Sequence, residues 1–177
     1  MERTGKINAL EYDAVIVDLD FTIWHGSKPR LWSKALKDYK ALQSEDGITH
    51  YIVDSSGEYI KIDNCFRTFA KELHKNNISL GFCTRGGLLD VTDSEQPPLI
   101  CLKMFDIYDE FDGDKIVLYK TENKGKSLET SIARKNKILF IDDTDQDLED
   151  VKLANSALQG NTDVYNRNNF TSWLELL

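Results

Sequence analysis

Short apolar runs alternate along this chain with segments of helical period. Four runs read as core strands: Asp13 to Asp18, Ile78 to Cys83, Lys115 to Tyr119 and Lys137 to Ile141. Between them the apolar spacing lengthens. Phe66, Phe69, Ala70 and Leu73 mark one helical stripe, which Asn76-Asn77 closes. Pro97-Pro98 opens a helix running to Met104, and Gly125 to Arg134 and Asp145 to Asn155 read as two more. A further helix is expected over Leu31 to Gln43. The tail, Asn168 to Leu177, reads as a short amphipathic helix burying Trp173, Leu174 and Leu177. His50 to Val53 and Glu58 to Ile62 flank Asp54-Ser55-Ser56-Gly57, the pattern of a β-hairpin inserted at about 48–63. Strands alternating with helices predict an α/β protein with a parallel sheet covered by helices.

The 177 residues suit one domain, 1–177, and no repeat or long linker divides them. A formal net charge of −8 argues against a general nucleic-acid binder, which needs basic surface for phosphates. It leaves room for one basic pocket around a single phosphate. No run of about 18 apolar residues exists, so no membrane span is expected. The first residues lead into no signal-type apolar stretch. Cys65, Cys83 and Cys101 are odd in number and far apart, which fits neither a disulfide framework nor a C-x-x-C metal site. Reduced, mostly buried thiols in a cytoplasmic protein are expected, with Cys83 a candidate for oxidation because of its neighbours.

The chemistry gathers where the strands end. In open α/β sheets ligands bind beyond the carboxyl ends of the strands. The first run delivers Asp18 and Asp20, two residues apart and so on one face of an extended chain, with Thr22 two further on. Like charges held that close either raise one pKa or share a cation. One carboxylate can then attack while the other carries a proton, or both can hold a divalent metal. The second run ends in Thr84 and Arg85, the third is followed by Lys120, Lys124 and Lys126, and the fourth ends in Asp142 and Asp143.

Asp18-Leu19-Asp20-Phe21-Thr22 resembles the first motif, D-x-D-x-T, of the haloacid dehalogenase superfamily, most of whose members are magnesium-dependent phosphohydrolases with an aspartate nucleophile. The strand-terminal Thr84, the lysine and the paired acids follow in that superfamily's order. Phe21-Thr22-Ile23-Trp24, the Val53 to Ile62 hairpin, Thr84-Arg85 and Phe105-Asp106-Ile107 are similar to its magnesium-dependent phosphatase group, over about residues 12 to 155. Gly86-Gly87 departs from that group's pattern after the arginine.

The resemblance implies a three-layer, Rossmann-like, doubly wound parallel sheet with a small β-hairpin insertion and no large cap. It implies Mg²⁺ held by the Asp18 carboxylate, the Asp20 backbone carbonyl and Asp143, with Asp142 a second ligand or an outer neighbour. Asp18 is then the nucleophile that becomes an aspartyl-phosphate, and Asp20 the proton carrier. Thr84, a lysine and Arg85 face the phosphoryl group, although Arg85 could equally pair with a surface acid. Lys124, in an Asn-Lys-Gly string, is the preferred lysine, with Lys120 the runner-up. The partner is a phosphorylated small molecule or phosphoprotein. A phosphotransferase or carbohydrate-processing enzyme of the same superfamily is the nearest alternative. A phosphoacceptor receiver or a non-catalytic binding module belongs to another class. Motif order disfavours the receiver, whose acid pair comes early and whose acceptor Asp lies on a middle strand.

Overall fold

The computed structural model describes residues 7–26, 39–86, 96–119, 122–135, 137–158 and 160–177. The chain opens on a 3-10 turn, Ala9–Glu11, and enters β1 at Ala14–Val17. A first excursion follows: β2 (Trp24–Gly26), β3 (Lys40–Gln43), β4 (Thr49–Val53), β5 (Tyr59–Ile62) and α1 (Asn64–Lys75). Then come β6 (Ser79–Arg85), α2 (Pro97–Met104), β7 (Lys115–Leu118), α3 (Lys124–Arg134), β8 (Ile138–Asp142), α4 (Asp145–Ala157) and β9 (Thr162–Asn166).

Five of these strands form a parallel sheet in the order β7-β6-β1-β8-β9. Numbered by their own succession they read 3-2-1-4-5, the order of a Rossmann-like α/β sheet. The winding reverses between β1 and β8, so a crevice opens beyond their carboxyl ends. Asp18 follows β1 and Asp142 closes β8 at that place.

Side-chain alternation divides the core in two. Val15, Val17, Leu80, Phe82, Leu139 and Ile141 face α1, α2 and the tail. Ala14, Ile16, Cys83, Ile138 and Phe140 face α3 and α4 through Leu128, Ile132, Leu148 and Val151. The first side is aromatic: the Phe66 ring lies 4.9 Å from Trp173, 6.0 Å from Phe111 and 6.2 Å from Phe69.

The structure corrects several sequence expectations. Over Leu31 to Gln43, residues 31–38 lie outside the described residues, and Lys40–Gln43 is strand, paired antiparallel with β4. Lys, Ala, Leu and Gln all favour helix, but pairing with a neighbouring strand overrides propensity. The hairpin is present as β4 and β5 and belongs to a larger antiparallel sheet, β2-β5-β4-β3. The strand β9, Thr162–Asn166, is not predicted from the sequence, because Thr162 alone in it is buried and no alternation marks it. The tail is two 3-10 turns, Arg167–Asn169 and Trp173–Leu176, rather than an α-helix. Trp173 and Leu176 are buried there, while Leu174 faces outward. No helix among the described residues is long and apolar enough to cross a membrane.

Phe66 touches three other rings from α1, so its removal leaves a cavity that its stiff neighbours refill poorly. Phe66→Ala should cost about 3–5 kcal/mol of unfolding free energy, measured by urea titration. A loss below about 1 kcal/mol would mean that the aromatic cluster repacks freely.

Candidate active site

The turn after β1 is built on one carbonyl. The backbone N–H groups of Thr22, Ile23 and Trp24 all reach the Leu19 carbonyl oxygen, at 3.2, 3.0 and 3.3 Å. This winds the chain back on itself directly behind Asp18. Phe21, midway round, takes a φ of +59°, uncommon for a bulky side chain. The Trp24 indole N–H donates to Asp20 Oδ1 at 2.8 Å and so fixes that carboxylate. Asp18 and Asp20 are both buried.

The opposite wall comes from β8 and the N-termini of α3 and α4. Asp142 is fully buried, and its Oδ1 accepts from the Thr144 N–H at 2.8 Å. The carboxylates of Asp18, Asp142 and Asp143 each offer an oxygen within 4.8 Å of the others. Burial, and then the Asp18 charge, raise both Asp142 and Asp143, Asp142 to about 7.

Lys124 enters this cluster from the first residue of α3. Its Nζ lies 2.6 Å from Asp18 Oδ1, 2.7 Å from Asp142 Oδ2 and 3.3 Å from Asp147 Oδ2, with the side chain only 2% exposed. Burial alone would lower the pKa of this ammonium; the charges of Asp18 and Asp142 outweigh it and raise the pKa. The local sequence explains the entry. Asn123 caps α3 by accepting from the Lys126 N–H at 2.8 Å. At Gly125 an added Cβ would lie 2.1 Å from the Asp150 carbonyl oxygen, so only glycine lets α3 start this close to α4.

Of the residues singled out from sequence, Asp18, Lys124, Asp142 and Asp143 come together directly. Asp20 stands in the adjoining turn. Thr84 is fully buried near the end of β6, where its hydroxyl reaches the Arg85 carbonyl oxygen, at 3.4 Å. Arg85 pairs with a buried acid: its Nη1 donates to Asp147 Oδ2 at 2.5 Å, and its Nε and Nη2 donate to the Glu122 carbonyl oxygen. Lys126 is exposed, and Lys120 lies outside the described residues.

Asp147 is the residue that sequence reasoning missed. It is buried, and it ties Arg85 to Lys124. Its signal was its place on the buried stripe of α4, next to Leu148 and four before Val151. A cavity of about 300 Å³ lies further along the small sheet, lined by His25, Lys61, Ile62 and Asp63.

Such an arrangement can neutralise a doubly charged group, present one fixed carboxylate as a nucleophile and hold a hard cation on oxygen donors. Fold and site together define an α/β protein with an acid–lysine cluster at the switch point of a parallel sheet. No protein-family model matches the chain, and no curated protein matches it.

Cys83 touches the same core face, and burial pushes its thiol up to about 12. An acid raised this far stays protonated at pH 8, and the thiol is a poor nucleophile. Oxidation of Cys83, anticipated from its neighbours, is disfavoured on these grounds. Iodoacetamide at pH 8 should therefore label the half-buried Cys65 in the native protein and leave Cys83 and Cys101 unlabelled until denaturant is added, as read by peptide mass spectrometry. Native labelling of Cys83 at the rate of Cys65 would show that the core opens there.

Proposed function

We propose that this protein is a Mg²⁺-dependent phosphomonoester hydrolase that works through an aspartyl-phosphate on Asp18. The observation carrying this reading is the convergence of Asp18, Asp142, Asp143 and Lys124 beyond β1 and β8, with Asp20 held separately by Trp24. The superfamily resemblance of the D-x-D-x-T string points the same way.

The donor set fits the metal. Three carboxylate oxygens within 4.8 Å of one another form a hard, all-oxygen site, which suits Mg²⁺ better than a thiophilic ion. Bound there, Mg²⁺ would neutralise charge on the phosphoryl group and on the carboxylate that attacks it. Asp18, Asp142 and Asp143 would hold it, with the Asp20 carbonyl assigned as a further ligand by the resemblance.

The chain's own groups then divide the work. Asp18 attacks phosphorus in line, while Asp20 gives a proton to the departing oxygen. Asp20, now a carboxylate, takes a proton from the water that cleaves the acyl phosphate. The indole hydrogen bond orients its carboxylate for both transfers. Lys124 balances charge on the phosphoryl oxygens, and Thr84 offers them a hydroxyl. Arg85 acts at one remove, by securing Asp147 beside Lys124.

Hydrolysis of 4-nitrophenyl phosphate should require Mg²⁺ and stop in EDTA. Asp18→Asn should abolish both turnover and phosphoenzyme formation with the fold intact by circular dichroism, because an amide is isosteric but a poor nucleophile. Undiminished turnover in chelator, or a phosphoenzyme on another residue, would refute the mechanism.

The lysine assignment has its own test. Lys124→Ala should lower kcat by about two orders of magnitude, whereas Lys126→Ala, at an exposed position, should leave kcat within about twofold of wild type. A crippled Lys120→Ala beside a near-normal Lys124→Ala would transfer the role to Lys120.

A further inference from the structure

Arg167 is a buried cation that the mechanism above does not use. It begins the 3-10 turn after β9, and its side chain is 10% exposed. Three acceptors in different directions surround it. Nε donates to the Thr22 carbonyl oxygen at 3.0 Å, Nη1 to the Phe170 carbonyl oxygen at 2.8 Å, and Nη2 to Asp63 Oδ2 at 3.3 Å. The guanidinium carbon also lies 4.4 Å from the centre of the Phe170 ring and 5.4 Å from that of Trp173. Burial pulls the guanidinium pKa down and Asp63 opposes the fall.

Burying a cation is costly, and an apolar residue often holds a tail to a core as well or better. What a planar guanidinium adds is a rigid fork that satisfies several acceptors at fixed angles. One of those acceptors belongs to the turn that carries Asp20. Asp63 grips the same turn, since its N–H donates to the Ile23 carbonyl oxygen at 3.0 Å while its side chain caps α1 through the Cys65 N–H. Thr22, Ile23 and Trp24 are thus fixed by the Leu19 carbonyl from within and by Arg167 and Asp63 from without. Trp24 in turn holds the Asp20 carboxylate.

We propose that Arg167 is a positioning residue for Asp20: through the Thr22 carbonyl and Asp63 it sets the turn that places the Trp24 indole, and with it the Asp20 carboxylate. The geometric part concerns the structure alone; the catalytic part rests on the phosphatase reading. A misplaced Asp20 protonates leaving groups poorly, which matters most for those that depart least readily. Asp18 and Lys124 are anchored by β1, β8 and α3, so the cation cluster does not depend on Arg167.

The experiment compares wild type with Arg167→Met and with Asp63→Asn, which keeps a good helix cap but loses the anion facing Arg167. The indole ¹H–¹⁵N resonance of Trp24, assigned through Trp24→Phe, should shift and exchange faster with solvent in both variants, more so in Arg167→Met. In turnover, Arg167→Met should lose about tenfold more on glycerol phosphate than on 4-nitrophenyl phosphate, whose leaving group needs little protonation. An unmoved Trp24 resonance overturns the proposal, and so do equal losses on the two substrates. Unfolding of both variants also overturns it, since Arg167 would then serve stability alone. If wild type hydrolyses neither substrate, the phosphatase reading fails, and the indole resonance still decides whether Arg167 sets the turn.

Discussion

Three buried carboxylates, those of Asp18, Asp142 and Asp147, converge on the ammonium of Lys124. The winding of the sheet forces the first two together, because β1 and β8 are parallel neighbours whose carboxyl ends coincide. Removed from water, these charges repel one another strongly, and only a cation among them makes the arrangement tolerable. Much else in the structure serves to deliver that cation. The Asn123 cap starts α3 at Lys124. The bare backbone of Gly125 lets α3 press against α4, and α4 brings Asp147 and, through it, Arg85 from the end of β6.

The two faces of the sheet contribute differently. The α3–α4 side supplies the charged half of the site through helix N-termini. The α1–α2 side is aromatic and holds the turn after β1 in place. There the tail packs Trp173 against Phe66 and Phe69, with Phe170 edge-on to Trp173, and the same tail sends Arg167 to the Thr22 carbonyl. Asp20 therefore sits at the end of an apolar, tightly packed support, whereas Asp18 sits among charges. Two carboxylates two residues apart are thus held by different partners, Asp18 by the Lys124 ammonium and Asp20 by the Trp24 indole.

Much of this was legible without coordinates. The four core strands and the helices that follow β5, β6, β7 and β8 appear near their expected places, because burial on both sides imposes long apolar runs and a helical period imposes its stripe, whereas β4 and β5 pair within a four-stranded sheet. Asp18, Asp142 and Asp143 stand out by their positions at strand ends, whereas Lys124 is preferred over Lys120 and Lys126 only through the resemblance of its Asn-Lys-Gly string. Lys40–Gln43 misled because its residues are strong helix formers, exposed throughout, and held as strand only by pairing with β4. The tail misled because Trp173 and Leu176 are buried by contact with α1 rather than by a helical stripe of their own.

By itself, then, the sequence determined the alternation of strands and helices and the list of polar residues at the strand ends, since both follow from local periodicity and composition. Only the tertiary structure decided which of those residues meet. Lys124 and Lys126 sit two apart in one helix, yet one is buried among acids and the other faces solvent. Asp147 and Arg85, 62 positions apart, become partners across the top of the sheet, and Arg167 reaches a carbonyl 145 positions earlier. Periodicity tells which side of an element is buried. Which charges lie opposite one another depends on strand order and on how closely two helices approach, and those are set by packing between segments distant in the chain.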